Sequence, residues 1–247
     1  MKNIRLVLSY DGTRYAGWQT QSKNTKAPTI QAVVEKTLQS ILGERVRLTS
    51  SGRTDSGVHA SAQVANFRTK NNLSLVDIQN ALNSLLPYDI VVTGACSAKP
   101  DFHARFNAKA KIYSYTILNS SMPDVFLQHT CWWYRYPLKI NRMRKSAKLL
   151  VGKHDFSSFS VAKSKRVNNT RTIHFLRIEK KGDWIHIRIK ADGFLHKMVR
   201  TIIGTLVEVG RGHQEPNEIK KILKAKDRRK AGPTAPAKGL CLEEVIY

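Results

Sequence analysis

Ten consecutive positions, Ser51-Gly52-Arg53-Thr54-Asp55-Ser56-Gly57-Val58-His59-Ala60, gather a cation, a carboxylate, an imidazole and several hydroxyls. Glycine tolerates φ > 0 and lets other backbone come close. Gly52 and Gly57 on either side of Arg-Thr-Asp-Ser therefore predict a tight loop that holds Arg53 and Asp55 in fixed places. A carboxylate held in this way can attack a reacting carbon or stabilise positive charge on it. The same residue types also make an ordinary polar turn, in which Asp55 would cap a backbone N–H. A second mixed segment, 14–21, interleaves Arg14 with Tyr15, Trp18, Gln19 and Gln21. Such side chains stack on bases and hydrogen-bond their edges; equally, they are those of a loop whose aromatics plug a core.

Composition narrows the partner. The 247 residues carry 42 Lys+Arg against 18 Asp+Glu, a net charge of +24. That excess repels itself in a compact state unless a polyanion offsets it, and nucleic acid is the expected partner. An anionic membrane is disfavoured, since the sequence has no long apolar span, signal peptide or lipidation motif. Cys96, Cys131 and Cys241 are far apart and odd in number. They make neither a metal-ligand spacing nor a disulfide framework, which suits a reducing cytoplasm. No two of the eight histidines pair as HExxH, so no metal is expected.

The elements that must position the loop follow from periodicity. Ile4, Leu6, Leu8 and Tyr10 alternate as a half-buried strand. Thr29 caps a helix with Ile30, Val33, Val34, Leu38, Ile41 and Leu42 on one face, ended by Gly43. Val46 and Leu48 mark a strand leading into the loop, and residues 62–67 a strand leading out. Ser74 and Asp77 open a helix carrying Leu75, Ile78, Ala81, Leu82 and Leu85, and 89–92 is a fourth strand. The order β-α-β-β-α-β is the ferredoxin-like pattern. Beyond a linker-like 100–106 come a long strand at 109–118 and an aromatic strand holding Trp132, Trp133, Tyr134 and Tyr136. A helix capped by Asn141 follows, then a hairpin of 173–179 with 184–190 about Lys181-Gly182-Asp183. Residues 161–171 read as a mobile basic loop. Leu195, Met198, Val199, Ile202, Ile203, Leu206 and Val207 form a continuous helical stripe in which Arg200 is the anomaly, a cation that calls for a partner. A short helix from Pro216, a basic run 227–230, a Pro/Gly/Ala loop 231–239 and a final strand complete the chain. The adjacent His154-Asp155 invites a catalytic reading, but neighbours in regular structure point to different places. The fold class is α+β, with an N-terminal half over 1–102 and a C-terminal half over 103–247.

GRTDSGVHA resembles the signature GRTDAGVHA of the TruA family of tRNA pseudouridine synthases, Ser56 being the departure from the usual Ala. The likeness continues in order along the chain. It takes in Tyr10-Asp11-Gly12-Thr13, Gly17-Trp18-Gln19, Phe102-His103-Ala104-Arg105 and Tyr113-Ser114-Tyr115. It then covers Gly152-Lys153-His154-Asp155-Phe156, Phe194-Leu195-His196-Lys197-Met198-Val199-Arg200 and Ala231-Gly232-Pro233-Thr234-Ala235-Pro236-Ala237 before Gly239-Leu240. The resemblance implies two ferredoxin-like (RRM-like) halves joined through an extended, mainly antiparallel sheet, with helices on one face and an active-site cleft between the halves. It also implies a cytoplasmic homodimer that isomerises uridine to pseudouridine at positions 38, 39 and 40 of the tRNA anticodon stem-loop, without cofactor or metal.

By match to the family pattern, Asp55 is the carboxylate at ribose C1′ and Arg200 its cationic partner. Tyr113 stacks on the uracil, and Leu240 forms an apolar wall on the base's other side. Arg53 reaches the phosphates or fills the gap left by the extruded nucleotide. His103 and Arg105 are substrate-binding residues by the same match, and His59 orients the loop. Two rivals remain. One is a non-catalytic RNA-binding protein with RRM-like halves, although no RNP1-type run is present. The other is a metal-free ribonuclease using His and Asp.

Overall fold

The computed structural model describes residues 1–20, 27–161 and 168–247. Among these the chain is α+β and divides into two compact units, Met1–Lys109 with Cys241–Tyr247, and Ala110–Leu240.

In the first unit, β1 (Lys2–Tyr10) buries Ile4, Leu6, Leu8 and Tyr10, the alternation its sequence predicts. It leads to α1 (Ile30–Leu42), whose Thr29 cap accepts the Ala32 N–H and whose end is turned by Gly43 at φ 68. The strand expected at 46–48 does not form; the two-residue β2 (Thr49–Ser50) follows it. The reason is local: the Leu48 N–H donates to the Glu35 carboxylate (2.8 Å) and its carbonyl accepts Gln31 Nε2 (3.2 Å), so side chains of α1 occupy the groups a ladder would use. Next come β3 (His59–Thr69), α2 (Leu75–Leu85) with Ser74 accepting the Asp77 N–H, and β4 (Ile90–Ala98). β1 pairs antiparallel with both β3 and β4, and β2 pairs with β3.

The second unit begins with β5 (Ala110–Leu118). The expected aromatic strand contracts to β6 (Trp132–Trp133), parallel to β5. Beyond it the rings continue as an edge-to-face series, Tyr115 to Trp132 to Tyr134 to Tyr136, with centroids 6.3, 5.2 and 6.1 Å apart. α3 (Ile140–Lys148) starts after Lys139 and not at Asn141, without a side-chain cap. β7 (Gly152–Asp155), β8 (Thr170–Lys181) and β9 (Trp184–Ala191) follow, with the β8–β9 turn at Gly182 (φ 56). In β9, Ile185, Ile187 and Ile189 are buried while His186 and Arg188 face out. Most of the basic loop expected at 161–171 lies outside the described residues. α4 (Met198–Arg211) opens after Lys197, one turn later than the apolar stripe suggests, and α5 (Glu218–Ala225) closes the unit's helices. Sheet order here is β5-β9-β8-β7.

β10 (Leu240–Ile246) pairs in parallel with β3 in the first unit, Cys241 opposite His59 and Leu242 opposite Ala60. That pairing returns the C-terminus to the first unit, so compactness divides the chain at other points than the halves 1–102 and 103–247.

Candidate active site

The loop carrying Asp55 is the turn between β2 and β3. Its entry is closed by the Ser51 N–H on the Val64 carbonyl (2.8 Å). Beneath it lies Gln63, fully buried, which accepts from Ser51 Oγ (2.6 Å) and donates to the Gly52 carbonyl (3.0 Å). Tyr10 OH and Thr54 Oγ1 share a buried hydrogen bond of 2.9 Å. Burial pushes the Tyr10 phenol far above its ordinary range, so it keeps its proton. The exit is a turn in which the Val58 N–H donates to the Asp55 carbonyl (3.2 Å) and Gly57 takes φ 75.

Residues 12–18 clamp the loop from the other side. The Trp18 N–H donates to the Thr54 carbonyl (3.1 Å), and Ser56 Oγ donates to the Tyr15 carbonyl (3.0 Å). His59 Nδ1 accepts the Gly12 N–H (3.1 Å) and lies 3.0 Å from Asp11 Oδ1. The ring can serve only one of these at a time, and either contact pins this segment to the loop's end. Tyr15 is itself anchored by its OH on Asp89 Oδ1 (2.6 Å), whose other oxygen takes Arg14 Nε and Nη2. Tyr15 and Trp18 are buried, so these aromatics plug the core and do not form a base-stacking surface. Thr54 is buried, Asp55 half-buried and Arg53 exposed, an arrangement that offers one carboxylate from a braced backbone.

Gly17 is where the clamp is tightest. It takes φ +93, and a Cβ there would lie 2.7 Å from the Thr54 carbonyl oxygen and 3.1 Å from the Asp55 carbonyl carbon. Gly17→Ala is expected to cost about 2–4 kcal/mol from left-handed strain plus overpacking and to displace Asp55. Thermal unfolding and product formation by the variant check both effects.

His103 and Arg105 sit in a turn on the same unit. Asn3 Nδ2 donates to the Lys99 and Phe102 carbonyls (2.8 and 3.0 Å), Asn66 Oδ1 accepts the Ala104 N–H (2.9 Å), and Tyr247 OH donates to the Ala104 carbonyl (2.7 Å).

The other expected site residues belong to the second unit. Tyr113 is buried, its ring edge-on to Phe194 at 5.2 Å. Arg200 Nε donates to the Ala235 carbonyl (2.7 Å), and the Ala235 N–H returns to the Arg200 carbonyl (3.0 Å). Part of the demand made by a cation in an apolar stripe is thus met by backbone. The loop 231–239 is moulded onto α4 throughout. Thr205 Oγ1 accepts the Gly232 N–H (2.9 Å), and Arg228 donates to the Gly232 carbonyl (2.9 Å) and Thr234 Oγ1 (3.0 Å). Tyr115 OH donates to the Pro236 carbonyl (2.8 Å), and Leu240 emerges buried. His154 and Asp155 have separate partners, the Val151 carbonyl for the ring and Ser157 with Lys226 for the carboxylate.

Asp227 starts the basic turn ahead of that loop. Its side-chain bond from Arg229, then the Arg229 N–H, lower its pKa from 3.8 to about 2. A depressed carboxylate stabilises the fold above its unfolded pKa and loses that contribution as pH falls through the folded one. Asp227→Asn should therefore lower the melting temperature at pH 7 by more than at pH 2, with the gap closing between about pH 4 and pH 2.

Sequence reasoning had no signal for Asp89. Gln63 and Asn66, polar residues on opposite faces of β3, each prove to tie down a site segment.

A family profile described as tRNA pseudouridine synthase matches residues 6–107 and 146–247. The chain is 48% identical over 247 residues to a protein of a Thermoanaerobacter species named tRNA pseudouridine synthase A, covering 100% of both. A protein of the same name from Moorella thermoacetica is 45% identical over 247 residues, again covering 100% of both. Among solved structures, a chain of an archaeal box H/ACA sRNP Nop10–Cbf5 complex matches with a TM-score of 0.37 and 13% identity over 83% of this chain and 43% of that one. A chain of a Cbf5–Nop10–Gar1 complex matches with a TM-score of 0.38 and 12% identity over 99% and 58%. Among the described residues no helix is long and apolar enough to cross a membrane, and no group of three or more His, Cys, Asp or Glu could hold a metal ion.

Proposed function

The chain belongs to the tRNA pseudouridine synthase family, and from that premise we propose that it acts at positions 38, 39 and 40 of the anticodon stem-loop, with Asp55 as the carboxylate at ribose C1′. The enzyme is an isomerase of tRNA uridine. The observation that carries the mechanistic reading is the bracing of the Asp55 loop, from beneath by Tyr10 and Gln63 and from the side by Tyr15, Gly17 and Trp18. Nothing in an ordinary polar turn requires such investment; preorganised charge at a reacting centre does.

The chemistry needs one carboxylate. Breaking N1–C1′ leaves positive character at C1′, which Asp55 meets either by adding to it or by taking a sugar proton to give a glycal. Uracil turns and C5 bonds to C1′, as the bond to the Asp55 oxygen breaks on the first route or as the sugar proton is returned on the second. The C5 hydrogen leaves as a proton, and N1 gains one. Substrate and product have the same composition, so the reaction needs no net oxidant or reductant.

The remaining roles rest on match to the family pattern. By that match Arg200 is the cationic partner, Tyr113 the stacking ring and Leu240 the apolar wall. Arg53, His103 and Arg105 bind the RNA. The proposal extends to a cytoplasmic homodimer and to ferredoxin-like units. For the first unit, its order β1-α1-β2-β3-α2-β4 supports that reading.

The test is to incubate an unmodified tRNA transcript with the enzyme and map pseudouridine by carbodiimide adduct and primer extension. Stops at 38, 39 or 40 are expected in tRNAs with uridine there. Modification confined to other positions would overturn the positional assignment. Bound tRNA left unmodified would favour the non-catalytic RNA-binding alternative.

A further inference from the structure

Phe106 is 75% exposed. A single exposed Phe is ordinary, but this one is mounted on a rigid base. The His103 N–H donates to Asn107 Oδ1 (2.6 Å), and the Asn107 N–H returns to the His103 carbonyl (3.0 Å). His103 Nδ1 accepts the N–H groups of Arg105 and Phe106, both at 3.2 Å, which fixes the ring and leaves Nε2 as the protonated nitrogen of its neutral form. The ring of Phe106 stacks on that imidazole with centroids 4.2 Å apart and planes at 29°, and the Arg105 guanidinium carbon lies 5.7 Å from the phenyl centre. The turn beneath is held by Asn66 and Tyr247 through Ala104. A flat, preordered aromatic pair with a cation beside it, on a chain of charge +24, has the makeup of a base-stacking platform next to a phosphate contact.

We propose that the His103–Phe106 stack is a shelf for an unpaired nucleobase of the bound tRNA, with Arg105 on the adjoining phosphate. The inference rests on the tRNA reading above and adds Phe106 as a binding residue. Stacking is indifferent to which base is presented, so the shelf contributes affinity more than sequence choice.

The experiment measures filter binding of an unmodified tRNA transcript over a range of salt, and steady-state pseudouridine formation, for wild type, Phe106→Ala, Phe106→Trp and Arg105→Ala. Phe106→Ala is expected to weaken binding on the order of 5- to 100-fold, with the loss falling on KM and the salt slope unchanged. Phe106→Trp should restore binding. Arg105→Ala should weaken binding and lower the salt slope by about 1. Unaltered affinity in Phe106→Ala would overturn the proposal. So would a loss that tracks a change in oligomeric state by sedimentation, since the ring would then face protein. Binding is read apart from turnover, so failure of the pseudouridine reading would show as absence of product in the wild type, whatever Phe106 does.

Discussion

Asp55→Asn is expected to fold as the wild type does, to bind tRNA, and to form pseudouridine slower by roughly 10⁴-fold or more, the scale on which loss of a nucleophile or its equivalent is felt. The bonds that shape the loop run through Tyr10, Gln63, Trp18 and the backbone carbonyl of Asp55, and Asn leaves all of them in place. On the proposed mechanism, what it removes is negative charge at the carbon where positive charge develops. Melting within about 0.5 kcal/mol of wild type, unchanged filter binding and loss of product would together place the defect in chemistry. Near-normal turnover would mean that the braced loop serves RNA binding or folding alone.

Gly204→Ala is expected to give the largest loss of stability. Alanine within a helix ordinarily gains up to about 1 kcal/mol over glycine. Here the added Cβ would stand 1.8 Å from the Pro233 carbonyl oxygen and 2.8 Å from its carbon, backbone that is itself pinned by Thr205 and Arg200. The sign therefore reverses. A cost of about 3 kcal/mol or more corresponds to a melting temperature lower by about 6–12 °C for a chain of this size. The loop 231–239 should come away from α4 and Arg200 lose its carbonyl, so activity falls with stability. Gly94→Ala is the control, since its Cβ would meet only Val7 at an ordinary 3.9 Å. Equal melting of the two variants would refute the close approach.

Much of this was legible in the residues. The period-two run of β1, the Thr29 and Ser74 caps and the Gly43 stop are local rules, and local rules survive tertiary context when nothing competes. Where something does compete, the sequence misleads. Val46 and Leu48 carry a strand pattern, but Glu35 and Gln31, a helix away, take the Leu48 backbone. The aromatic run at 132–136 keeps its rings in contact but gives up the ladder after two residues. At the site, motif resemblance singled out Asp55 and the glycines of its loop, yet could not show why Gly12 and Gly17 stand where they do. Only the approach of their backbones to Val58, Thr54 and Asp55 supplies that reason. Ser56, the departure from the usual Ala, uses its hydroxyl to tether the loop to Tyr15. Arg200 stood out as a cation calling for a partner, and the Ala235 carbonyl accepts from its Nε, so the loop 231–239 meets part of that demand.

The central claim is that Asp55 drives exchange of the glycosidic bond from N1 to C5. Its most direct test is tritium release from tRNA carrying C5-tritiated uridine, run side by side with wild type and Asp55→Asn at saturating tRNA. C5 loses its hydrogen only when it becomes the glycosidic carbon, so release by the wild type and background counts from the variant is the expected result. Release by Asp55→Asn at a rate near wild type would contradict the account.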